Sequence, residues 1–163
     1  QTIDRELLIA YLNTGSSESP VWSAIGKRVE DSSEEMDWGQ ESKQDVLGNT
    51  FTTMKKPVIT QTFDPIPLAA GDAAAVKMWH LAVKDPDAQA LANQEMMIGH
   101  FYATSGDAKF AERYDSCAIA VTSIGGEGGG TLNIASEITY GGTRTLGTVA
   151  KGAAGKIEFA AAQ

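Results

Sequence analysis

EEMDWGQESKQDVLGNTFTTMKKPVITQTF, residues 34–63, is the stretch from which the fold is read. It predicts one long β-hairpin, Glu34 to Phe63, turning at Leu47-Gly48-Asn49-Thr50. Gly48 in first position permits the positive φ of a two-residue turn, and Asn49 follows it comfortably. Pairing outward from that turn sets Leu47 opposite Thr50, Val46 opposite Phe51, Asp45 opposite Thr52 and Glu41 opposite Lys56. The second is a β-branched/aromatic pair and the last an opposite-charge pair, both suited to an antiparallel ladder. Each arm is longer than the usual strand of about 5–6 residues. Glu41-Ser42-Lys43-Gln44-Asp45 carries no core residue. A ribbon so long and polar lacks the means to bury itself on its own domain. The expectation is an arm that is mobile in the free chain and is completed by another molecule.

Outward from the arm, the remaining residues predict a single domain over 1–163, mainly β, as a β-sandwich or barrel with one flanking α-helix. Leu7 to Leu12 and Val21 to Ile25 read as strands, separated by the loop Gly15 to Pro20. Asp64-Pro65-Ile66-Pro67 stops the returning arm, since proline donates nothing to a ladder. The helix spans about 72–84: Asp72 is its N-cap, Val76, Trp79 and Val83 form the stripe expected to pack on the sheet, and Asp85-Pro86 ends it. Strands follow over Glu95–Thr104, Lys109–Ile124, Thr131–Tyr140, Thr143–Ala150 and Lys156–Ala160. Their turns are Ser105-Gly106-Asp107, the glycine-rich Gly125 to Gly130, Gly141-Gly142 and Gly152 to Gly155.

Composition narrows the function. The chain has 163 residues, enough to bury about 70% of its unfolded surface. Twenty-one acids against 13 bases give a net charge of −8, unlike a protein that grips DNA by its phosphates. Seven acids, Glu30, Asp31, Glu34, Glu35, Asp37, Glu41 and Asp45, crowd into the arm and its approach, offset there by Lys43 alone. No apolar run reaches the roughly 18 residues of a membrane span, and no charged-then-apolar leader opens the sequence, so the expectation is synthesis in a cytoplasm without membrane insertion. The lone Cys117, between Ser116 and Ala118, reads as a small buried hydrophobe.

Catalytic signatures are missing. The glycine loop lacks the Lys-Ser/Thr of a phosphate-binding loop, and it lies between strands. His80 and His100 have no spaced ligands for a metal and read as structural. There is no Gly-x-Ser-x-Gly elbow. Glu34 and Glu35 point to opposite faces of a strand and form no dyad. Trp22, Trp38 and Trp79 are assigned to core packing. The reading is a non-enzyme that needs no cofactor.

Specific blocks carry a resemblance. Glu34 to Trp38, Lys43 to Thr50, Lys55-Lys56-Pro57, Phe63-Asp64-Pro65 and Gly71-Asp72 resemble the tail tube (major tail) proteins of long-tailed bacteriophages and prophages. So do Phe110 to Tyr114, Gly125 to Gly129 and Thr139 to Gly142. The resemblance runs over about residues 4 to 160. It implies a virion structural protein, made in the bacterial host cytoplasm, whose identical subunits form hexameric rings. The arm of each would join its neighbours' strands in an inner barrel, and stacked rings would make a conduit for double-stranded DNA. Tape measure, terminator and distal tail proteins would be its other partners. Alternation then places Glu35, Asp37, Glu41 and Asp45 with Lys43 on the lumen face, opposite Met36 and Trp38, unless a bulge at Gly39 swaps the faces beyond it. Leu47, Gly48, Asn49 and Thr50, with the first dozen residues, are the expected ring-to-ring contacts. The alternatives are a β-sandwich binding or adhesion module, and another virion component such as a tail terminator or head decoration.

Overall fold

A computed structural model describes residues 1–105, 108–152 and 155–162. The turn expected at Gly106-Asp107 and the Ala153-Ala154 part of the last loop lie outside those residues. The architecture is mainly β, as the sequence implies: eleven strands, all antiparallel, with a helix packed against them.

In chain order the strands are β1 (Leu8–Asn13), β2 (Trp22–Ile25), β3 (Glu34–Asp37), β4 (Glu41–Gln44), β5 (Thr50–Thr53) and β6 (Val58–Pro67). After the helical region come β7 (Gln94–Ser105), β8 (Ala108–Gly125), β9 (Asn133–Tyr140), β10 (Arg144–Lys151) and β11 (Ile157–Ala161). The main sheet runs β2-β1-β7-β8-β9-β6-β3, with β10 and β11 branching from β8. The branch point makes two layers. The first half of β8 lies between β7 and β10, whereas from Ala118 onward it pairs with β9. One continuous strand therefore serves both layers.

Two apolar clusters fill the body. The larger joins Leu12, Ile25, Phe63, Ile66, Met96, Ile98, Cys117, Ile119 and Ile138 with Ala74, Ala75 and Met78 of the helix. The smaller gathers Tyr11, Trp22, Met97, Ala111 and Val149 on the opposite face of the same strands. Strand β1 contributes Ala10 and Leu12 to one cluster and Tyr11 to the other. This is why residues 7–12 read as an unbroken apolar run rather than an alternating one.

Helix α1 (Ala73–Trp79) starts where expected, with the Asp72 carboxylate accepting from the Ala75 amide at 3.3 Å. It then widens into a π turn over His80–Lys84, and a one-turn helix α2 (Ala88–Leu91), capped by Asp87, follows. The expected packing stripe is corrected. Ala74, Ala75 and Met78 are buried, while Val76 and Trp79 are half-buried and Val83 is exposed. Small alanines let the helix backbone approach the sheet, so the larger residues flank the contact instead of forming it. Proline also fails to end the returning strand. Strand β6 continues to Pro67 because the pairing with β9 slips between Phe63 and Ile66, so Pro65 falls where no ladder bond is required.

Candidate assembly surface

The arm exists, but its register differs from the sequence reading. Near the body, β3 pairs with β6, setting Glu34 opposite Gln61 and Asp37 opposite Val58. Beyond it, β4 pairs with β5 as a separate two-stranded ribbon, setting Glu41 opposite Thr53, Lys43 opposite Phe51 and Gln44 opposite Thr50. The expected Val46–Phe51 and Glu41–Lys56 pairs do not form, and the ladder is displaced by three residues. Asp45 is the reason. Its Oδ1 accepts from the amides of Leu47 and Asn49, both at 2.9 Å, while its carbonyl accepts from Gly48. The turn is thereby a longer loop, Asp45 to Asn49, closed by Gly48 at φ +82°. An aspartate heading a turn with glycine three residues on is the signature of this loop, and it overrides a two-residue turn.

A second break separates the two ladders. Gly39 takes φ +57°, its amide donates to Asp37 Oδ1, and Lys55 donates to the Trp38 carbonyl. Three residues on the outgoing strand (38–40) face four on the return (54–57). Face alternation is consequently not carried across Gly39. Glu35 and Asp37 share the outward face of β3, opposite Glu34 and Met36, while Glu41 and Lys43 share a face of β4. Asp45 sits in the loop, its carboxylate engaged by the backbone.

Every residue from Glu35 to Lys56 is exposed. That segment includes Met36, Trp38, Val46, Leu47, Phe51 and Met54, with Val46 and Leu47 more than 80% exposed at the tip. Trp38 is thus a surface residue of the arm, while Trp22 is buried in the smaller cluster beneath the Arg113 guanidinium. The root presents one edge, since β3 pairs with β6 on one side only among the described residues.

Behind the root lies a polar cluster that sequence reasoning missed. Glu112, 5% exposed, accepts from Arg144 Nε at 2.8 Å and from the Tyr114 hydroxyl at 2.9 Å, with His100 Nε2 at 3.0 Å. Burial alone would raise its pKa. The hydrogen bonds from His100, Arg144 and Tyr114, with the Arg144 charge, outweigh that and hold the carboxyl at about 2. His100 also meets the Tyr102 hydroxyl at 2.7 Å and stacks on Phe110. A second chain of contacts runs from Tyr140 through Gln61 to Ser32, whose carbonyl accepts from Arg5. The signal for Glu112 was its parity: it stands two residues from both Phe110 and Tyr114, on the inward side of β8. His80, in contrast, is exposed and leans on Trp79. No group of three metal-ligating side chains occurs among the described residues, and none of their helices is long and apolar enough to cross a membrane.

Solved structures share this fold. A chain of an extracellular contractile injection system, from its sheath-tube complex in the extended state, aligns over 91% of this chain and 93% of its own, at 11% identity and a TM-score of 0.50. The tube-terminating cap of the anti-feeding prophage aligns over 91% and 92%, at 14% identity and 0.52. The sheath/tube terminator of an extracellular contractile injection system aligns over 90% and 96%, at 9% identity and 0.51. The chain has the fold found in tubes and tube terminators. No family model and no curated protein matches the sequence.

Proposed function

We propose that the protein is a structural subunit of a phage-like tail, assembling through its arm into stacked hexameric rings that form the tail tube. The observation that carries this is the exposure of the whole arm from Glu35 to Lys56, with six large apolar side chains left in water. Exposed ribbon edges and apolar patches of this kind are hazards unless a partner covers them. Head-to-tail contacts between identical chains close into rings, and stacking without closure extends them into a filament. Its further partners are the tape measure, terminator and distal tail proteins, and it resides in the assembled particle. The fold shared with tube components supports this reading.

The acids supply the conduit's chemistry. A wall bearing Glu35, Asp37 and Glu41 repels a duplex carrying about one negative charge per 1.7 Å, so the polymer slides without sticking. Asp45 joins this set with its oxygens partly committed to the loop. Leu47, Gly48, Asn49 and Thr50 at the tip make the ring-to-ring contacts. Val76, Trp79 and Val83, which flank the buried helix face, remain available to a neighbour. A terminator role is the second reading, favoured by the likeness to a tube-terminating cap and a sheath/tube terminator.

Negative-stain microscopy of the purified protein separates these. Hollow tubes are the expected result; isolated rings support the terminator, and a monomer that never assembles refutes both. Within assembled tails, Glu35→Lys with Asp37→Lys leaves tubes intact and slows DNA passage. Unchanged passage removes these residues from the lumen.

A further inference from the structure

Glu34 occupies an unusual position. It is the first residue of β3, half-buried, directly opposite Gln61, which is 4% exposed. Every neighbouring polar group has a partner. Gln61 bonds Tyr140 and Ser32, Arg5 bonds the Ser32 and Leu8 carbonyls, and Glu112 bonds His100, Tyr114 and Arg144. Glu34 makes no hydrogen bond or ion pair through its carboxylate among the described residues. It is a lone acid wedged where the arm leaves the body, facing a second carboxylate that stays ionised.

We propose that Glu34 makes the root of the arm a proton-sensitive hinge, seated on the body when the carboxyl is neutral and loosened when it is ionised. A partly buried carboxylate without a partner loses hydration when charged, and an opening of β3 from β6 returns that hydration. The groups that face Glu34 set the balance. Glu112 from β8 opposes its charge, while Arg5 before β1 and His100 from β7, when protonated, favour it. Tyr140 from β9 lies in the same field, and Arg144 from β10 is spent on Glu112. Burial is the largest influence and raises the Glu34 pKa above its ordinary value, with His100 lowering it, Glu112 raising it and Arg5 lowering it. A raised carboxyl pKa means the closed root binds a proton that the open root gives up. Closure is therefore strongest below the usual glutamate range and weakens as pH rises through the raised value. Glu112 does not confuse the sign, because it titrates only near pH 2.

In the assembly proposed above, a loosened root at neutral pH lets the arm search for neighbours, and this consequence rests on that reading. The hinge itself does not, because it is tested on the unassembled chain. Amide exchange is followed in dilute full-length protein from pH 4.5 to 8, corrected for intrinsic rates. Protection at 34–37 and 58–61 is compared with that at 9–12 and 96–99 in the same molecules. The expected result is a relative protection at the root that falls several-fold as pH rises. Glu34→Gln keeps it high and flat, and Glu35→Gln, on the outward face, leaves the wild-type profile. A flat wild-type profile overturns the proposal, as does a Glu34→Gln variant retaining the full slope. Should Glu34→Gln fail to fold, Glu34→Ala takes its place, and the wild-type profile still decides against the hinge if it is flat.

Discussion

At the scale of single residues, Glu112 shows how a charge survives in a β interior. Three donors surround it, so its ionised form is better solvated by the protein than the burial alone would allow. A carboxyl held near 2 contributes stability that is present above the ordinary glutamate range and is lost as pH falls towards 2. The expected loss over that window is about 3 kcal/mol. Denaturant midpoints measured between pH 5 and 2 will show it, and Glu112→Gln will flatten that part of the profile while lowering stability at pH 7 by about 3 kcal/mol, since Arg144 and His100 lose their acceptor. Asp45 teaches a related lesson. Its place among arm acids suggested a lumen charge, yet two backbone amides hold it, and that local bond set the register of the whole ribbon. Nothing in composition separates such an aspartate from a solvated one. The pattern Asp45-Val46-Leu47-Gly48 does, once the turn it favours is weighed against the shorter one.

At the scale of elements, the helix and the arm were legible to different degrees. The start at Asp72 and the end near Asp85-Pro86 are local signals, and both are where the sequence puts them. The buried face is a tertiary matter: three apolar residues at helical spacing mark a stripe without saying that smaller neighbours lie closer to the sheet. Met78→Ala is expected to cost about 2–4 kcal/mol in chemical unfolding, against less than about 0.5 for Val83→Ala. The reverse order would restore the stripe read from sequence. In the arm, Gly48 at φ +82° has nothing within 4 Å of an added methyl. Gly48→Ala therefore strains only the backbone, by about 1–2 kcal/mol. Because the tip touches no core, the body's melting temperature stays unchanged while amide protection in 45–49 falls.

At the scale of the whole molecule, the arm and the body are separable by burial. The strand pattern and the single domain were readable because turn residues punctuate the chain at strand-length intervals. The branching at β8 was not, since an 18-residue strand whose halves choose different partners carries no local mark of the change. Replacing residues 39–54 by a two-residue turn removes exposed surface and no part of either cluster. The trimmed chain is expected to keep the wild-type melting temperature within about 2 °C, on the ordinary size of surface effects. It is also expected to form no tubes, as microscopy and sedimentation will show.

The strand β8 has one more effect. A protein with two separate oily centres invites melting in two steps, one centre after the other. Here the same backbone threads both, so releasing either centre frays the spine of its companion. Calorimetry should record a lone sharp peak, and a subunit that comes apart all at once leaves no half-opened species to contaminate a growing polymer.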